Sequence, residues 1–267
     1  MTPGLSPITQ QLVVQLFEPQ ERAEATGLLI EDCGNTLPFC EKSDEYQLER
    51  IRFAALRVSI GYIDGLKNAI AEAKKDWRDL LVWARFAESL TVHREWAEAI
   101  LSGNSPSKMI ILMGVTGCGK TRVGSLLANT LNWMYYETDH FLSTPDFNRI
   151  LKGESLSDEH IQTWLAKILD LIKRYLEKRQ SAILAFTGLK KSQRDELRIN
   201  HQVQFVYLKG ERALIEARQK NRKADLPYLQ RLAYESDEFE EPQGMLTVGI
   251  EQAPPEIVKT IRDKLNL

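Results

Sequence analysis

The 267-residue chain is short of cysteine, of excess charge and of long apolar runs, and each scarcity removes a class of protein. Cys33, Cys40 and Cys118 are odd in number and lack C-x-x-C spacing, which excludes a zinc-ribbon site and a disulfide framework. They read as reduced thiols. A formal net charge of −2 argues against a broad nucleic-acid footprint and against a polybasic membrane surface. No apolar run approaches membrane-spanning length, and Met1–Pro7 carries neither a basic segment nor an apolar signal core. The expectation is a soluble cytoplasmic protein. No internal repeat or low-complexity tract is present. What remains, 43% apolar and 27% charged residues, suits one large globular domain or two ordinary ones.

The most informative stretch begins at Lys108. Lys108–Met113 is a mostly apolar run of the kind that forms a buried parallel strand. It leads directly into Gly114-Val115-Thr116-Gly117-Cys118-Gly119-Lys120-Thr121, which fits G-x-x-x-x-G-K-[ST]. From Arg122 onward, Val123, Leu126, Leu127 and Leu131 fall on one helical face. Glycines at 114, 117 and 119 let the backbone turn tightly and aim its N–H groups at phosphate oxygens. The helix N-terminus adds its positive dipole end. Lys120 then reaches the β- and γ-phosphates, and the Thr121 hydroxyl can hold Mg²⁺. Gly114 to Arg122 is therefore the expected nucleotide site. Cys118 fills a variable position of that loop.

Upstream, residues 1–104 carry only helical periodicity. Helices are expected from Pro7, after Pro19–Arg22, from Ser43-Asp44 with a break at Gly61, after an Asp76 N-cap, and over His93–Leu101. Trp77, Trp83, Phe86 and Trp96 read as the core of a helical bundle, and His93 as a satisfied structural histidine. No motif with a mechanism occurs here, so the segment is an accessory domain with room for a protein partner or self-association. Residues 105–107 are the linker, and 108–267 the second domain.

Within that second domain, strands are expected at Trp133–Thr138, Ser181–Phe186, His201–Leu208 and Met245–Ile250, with a last helix over Pro254–Leu265. Carboxyl ends of parallel strands face the ligand crevice. Asp139 ends the first of these strands, where an acid binds Mg²⁺ or accepts a hydroxyl proton; an N-cap role is the alternative. The strand ending at Thr187 has no acid, which leaves the metal to Thr121 and Asp139. Lys190, Lys191 and Arg194 are candidates for an anionic acceptor, or simply a solvated basic helix start. Arg218 and Arg222, four apart, share a helix face suited to clamping a phosphoryl group, or form simply a charged, exposed helix end.

From Met109 on, the chain resembles the gluconate kinase family of P-loop kinases. The resemblance rests on Met113–Thr121, Asp139, Gly153-Glu-Ser-Leu156, Trp164-Leu165, Leu189–Lys191, Arg194-Asp195, Phe205–Gly210, Arg218, Arg222 and Glu241-Pro242. It implies an α/β fold with a five-stranded parallel sheet, a lid bearing Arg218 and Arg222, ATP with Mg²⁺, and transfer to a sugar-acid hydroxyl near Asp139. Departures gather on the acceptor side. Leu142-Ser143 stands for a His-Pro, His160-Ile161 for an Asp-Arg, and Thr163 for a proline. Asp225–Tyr228 replaces a lid His-Phe-Met-Pro, and Tyr234-Glu-Ser236 a Ser-Gln-Phe. Arg149 is the candidate replacement for a lysine that pairs the acceptor carboxylate. Two other classes stay open at this stage: an ATP-binding regulator acting through its helical domain, and a nucleic-acid end kinase, for which no basic groove is visible.

Overall fold

A computed structural model describes residues 4–34, 36–37, 45–103, 107–221 and 226–267, with side chains outside 219–227. The expectations for Cys40, Ser43-Asp44, most of the linker, and Arg222 lie outside the described residues. The chain forms two compact units. One is built on the N-terminal hundred residues with Glu177–Gln180, the other on Ser107–Leu176 and Ser181–Leu267.

Helices make the first unit. Helix α1 (Pro7–Leu16) starts with proline inside its first turn, and the Ser6 hydroxyl accepts the Thr9 N–H at 3.2 Å. Helix α2 (Arg22–Gly27) widens into a π-turn over Leu28–Asp32. Arg52 of α3 (Glu45–Ser59) serves that end by donating its Nε to the Leu29 and Cys33 carbonyls at 3.1 and 3.2 Å. Gly61 breaks the chain after α3 with φ +72°, and a Cβ there would lie 2.1 Å from the Leu16 carbonyl oxygen. Only glycine fits that approach. Helix α4 (Ile63–Trp83) kinks at Asp76, whose carboxylate accepts the Arg78 N–H at 2.9 Å. The expected N-cap is thus a cap within a bent helix, which ends at Trp83 rather than at Ala87. Helix α5 (Val92–Ser102) closes on Gly103 in the left-handed region.

Apolar faces of these helices meet in one core that includes Leu12, Leu16, Leu29, Phe53, Leu56, Phe86 and Trp96. Trp83 departs from expectation: it is 49% exposed and outside that core. His93 is buried, with its ring centroid 5.2 Å from Tyr46 and 5.7 Å from Phe53. Aromatic rings, rather than a hydrogen-bonding network, enclose it. Burial, and next the nearby Arg50 charge, push its pKa down to about 4.

The second unit is a parallel five-stranded sheet in the order β2-β3-β1-β4-β5. Its strands are β1 (Met109–Met113), β2 (Met134–Glu137), β3 (Ala182–Phe186), β4 (Val203–Lys209) and β5 (Leu246–Gly249). Every residue of β1 and β3 is buried, which explains their uninterrupted apolar runs. Around the sheet run α6 (Lys120–Leu131), α7 (Thr144–Leu151), α8 (Asp158–Glu177), α9 (Lys191–Leu197), α10 (Arg212–Asn221), α11 (Leu226–Glu238) and α12 (Pro254–Leu265). Met109 pairs with Ala182 on one side and Val203 on the other, so β1 is central and the chain leaves it in both directions. The crevice beyond the carboxyl end of such a strand is the binding position in open α/β sheets. Among the described residues, no helix is long and apolar enough to cross a membrane.

Candidate active site

The loop after β1 is shaped by its glycines. Gly114, Gly117 and Gly119 all have positive φ, at 140°, 87° and 106°. A Cβ on Gly114 would sit 2.8 Å from the Cys118 sulfur, whereas one on Gly119 would meet nothing within 4 Å. Gly114 is therefore needed for space and conformation, and Gly119 for conformation alone. Lys120 opens α6 and folds back over the loop, donating Nζ to the Gly114 carbonyl at 2.5 Å and the Val115 carbonyl at 3.1 Å. A cleft of about 470 Å³ lies over the loop, lined by Thr116, Gly117, Gly119, Lys120, Thr121 and Arg122 on one wall. Ser125, Glu137, Asp139, Tyr228 and Arg231 complete it. Val115 packs against the core and Cys118 is buried beneath the loop, so these two shape the cradle from behind. Burial holds the Cys118 thiol above its usual range, against the lowering effect of the Lys120 charge.

Asp139 is placed by a turn anchored on both sides. It sits in a 3-10 turn, Thr138–Phe141, rather than capping a helix. The Thr138 hydroxyl donates to the Ala185 carbonyl at 2.9 Å, and the Trp164 indole donates to the Thr138 carbonyl at 2.8 Å. Glu137, two residues before Asp139, adds a second carboxylate to the same cleft and accepts a hydrogen bond from the Tyr135 hydroxyl. Two carboxylates and the Thr121 hydroxyl on one cleft suit a hard divalent cation, which prefers oxygen ligands. The one sign of Glu137 in the sequence is its place at the carboxyl end of β2, where the strand faces the crevice.

Beside the cleft is a smaller cavity of about 100 Å³, which shares Asp139 and Arg231 with it. Ile150, Leu156, Ile161, Trp164 and Leu189 give it apolar walls, and Lys190, Gln193, Tyr234 and Glu235 a polar side. Lys190 reaches this cavity, but its ammonium pairs with Glu238 at 2.9 Å, and that hydrogen bond raises its pKa. Three other predicted cations lie elsewhere. Arg194 is 2% exposed and donates Nη1 to the Gly188 and Leu189 carbonyls at 2.7 and 3.2 Å, so it holds the turn after β3. Arg149 lies at the surface, 3.6 Å from Glu154, and lines neither cavity. Arg218 donates to the Ile250 carbonyl at 2.8 Å and also lines neither.

Besides Lys120 and Arg122, the cleft holds a third cation that no sequence motif marks. Arg231 pairs through Nη1 with Asp139 at 2.8 Å and through Nε with Glu235 at 2.5 Å. Glu235 in turn accepts the Thr116 N–H at 2.5 Å. Burial alone would lower the Arg231 pKa, but the two carboxylates reverse this and raise it. The i, i+4 spacing of Arg231 and Glu235 on α11 was the available signal; it resembles any surface helix pair until the fold buries it.

A parallel sheet with a glycine-rich phosphate loop at its central strand, and acids across the cleft, defines a P-loop phosphotransferase. A family model described as an AAA domain matches residues 109–241. The thermoresistant gluconokinase of Escherichia coli strain K12 is 30% identical over 56% of this chain and 88% of its own length. The Arabidopsis thaliana gluconokinase is 28% identical over 58% and 90%. A probable gluconokinase of Rattus norvegicus is 39% identical, over 33% of this chain and 48% of its own length. Among solved structures, a Sinorhizobium meliloti gluconokinase matches with TM-score 0.52 and 26% identity, over 61% of this chain and 97% of that one. The chain belongs to the gluconokinase family of kinases.

Proposed function

We propose that this chain transfers the γ-phosphoryl group of ATP to a hydroxyl of a sugar acid or related polyol. The observation that carries this reading is the position of Asp139. It lies on the wall shared by the phosphate-loop cleft and the smaller cavity, a position that supports its acting between an acceptor hydroxyl and a terminal phosphate. In-line transfer asks mainly for positioning and charge neutralisation. Loop N–H groups, Lys120 and the α6 N-terminus supply these for the triphosphate. Mg²⁺, held by the Thr121 hydroxyl with Asp139 or Glu137, would add Lewis-acid neutralisation of the phosphate oxygens. As the acceptor oxygen bonds phosphorus and the bond to ADP breaks, Asp139 takes the acceptor proton. The family relationship supports a sugar-acid acceptor. The apolar walls favour one that offers a carbon face beside its hydroxyls.

The test is ADP release with Mg²⁺ and ATP across a panel of sugar acids and polyols, beside Lys120→Ala. Turnover that depends on an acceptor and is lost in the variant is expected. ATP binding without turnover on any acceptor would overturn the reading.

A further inference from the structure

We propose that Arg231 is the cation that contacts the transferring phosphoryl group, and that Glu235 positions it by tying it to the phosphate loop. This rests on the kinase reading above and names a residue for the same site.

Arg231 is the one residue among the described cations that lines both cavities. It is 7% exposed, so water screens it little. Its fork has divided duties. Nε is committed to Glu235 and Nη1 to Asp139, while Nη2 meets no acceptor among the described residues. A purely structural brace would need only the contact with Glu235. That carboxylate already links α11 to the loop through the Thr116 N–H.

Charge gives the second reason. One guanidinium against two carboxylates, Glu235 buried and Asp139 partly exposed, leaves this cluster net negative, beside a loop made to receive anions. Buried ionic groups are costly unless balanced. The imbalance ends when Asp139 turns to an acceptor hydroxyl or a metal ion. Nη1 is then released while Nε stays held, and the freed edge of the guanidinium presents two donors to phosphoryl oxygens. A planar fork suits that geometry better than an ammonium. In this scheme Asp139 holds the arginine at rest, and the reacting groups take it over.

The experiment measures binding of ADP with Mg²⁺, with and without aluminium fluoride, which mimics the phosphoryl group in flight. Wild type should bind the fluoride complex at least tenfold more tightly than ADP alone. Arg231→Gln should lose most of that gain while its affinity for ADP changes less than about threefold. Arg231→Lys should recover part of it. Glu235→Gln should lose part of it with ADP binding undiminished. Because Arg231→Gln leaves Glu235 buried without its partner, Arg231→Met combined with Glu235→Gln removes both charges and provides a folded comparison. A gain that survives in that double variant, no gain in wild type, or an equal loss of ADP and fluoride-complex binding overturns the proposal. A wild-type gain lost with Arg231, but no turnover on any sugar acid or polyol, would overturn the acceptor reading and leave Arg231 its role.

Discussion

The Trp164 indole donates its N–H to the Thr138 carbonyl at 2.8 Å, and that bond fixes the turn on which Asp139 stands. The two residues are 26 apart in sequence. One follows the edge strand β2 and the other belongs to α8, so the pairing fastens a helix to the mouth of the cleft.

Trp164→Phe keeps most of the buried ring but removes the indole donor to the Thr138 carbonyl. Losing one such hydrogen bond costs about 0.5–1.5 kcal/mol. Urea unfolding should show that loss. Turnover should fall through kcat more than through the KM for ATP, because Asp139 shifts and the phosphate loop does not. An unchanged midpoint would contradict this account of the turn.

Two glycines of the loop should respond differently to alanine. At Gly119 the cost is conformational alone, since nothing lies within 4 Å of an added Cβ. Holding an L-residue in the left-handed region costs about 1–2 kcal/mol, so weakened nucleotide affinity on that scale is expected. At Gly114 the added carbon also meets the Cys118 sulfur at 2.8 Å and the Leu208 carbonyl at 2.9 Å. Gly114→Ala should therefore lower thermal stability as well as binding. Calorimetric titration with ADP, beside melting curves, separates the two cases.

His93 should make the protein acid-sensitive. Its folded pKa, about 4, lies below the ordinary value of 6.5, so the fold holds the ring neutral. Below pH 6.5 the unfolded chain binds a proton that the folded chain refuses. Stability contributed by this group is thus complete above the ordinary value and declines as pH falls from about 6.5 towards 4, by up to about 3 kcal/mol. His93→Phe should flatten that part of the pH–stability curve. An equally steep decline in the variant would assign the sensitivity to other groups.

Cys118 should be chemically quiet. It is buried under the loop, and burial raises its pKa, so little thiolate exists near neutral pH. Modification by a thiol reagent should be slow in the native protein and fast after denaturation. Rapid native-state labelling at Cys118, with loss of nucleotide binding, would show that the loop opens.

Much of this protein follows from local sequence. The fixed spacing of Gly114, Gly119, Lys120 and Thr121 specifies a phosphate loop, because its chemistry is carried by neighbouring backbone groups. The apolar runs of β1 and β3 announce buried parallel strands, and Asp139 is legible from its place at a strand end. Charged side chains are a different matter. Arg194, Arg218 and Arg231 are all arginines on helices, and sequence offers no reason to send one to the turn after β3, another to the carbonyl just after β5, and the third into the cleft. That choice depends on contacts across long separations, such as that of Thr116 and Glu235, 119 positions apart. A long charged side chain goes where tertiary packing leaves a partner and excludes water. Only the fold decides which of the three lines the cleft over the phosphate loop.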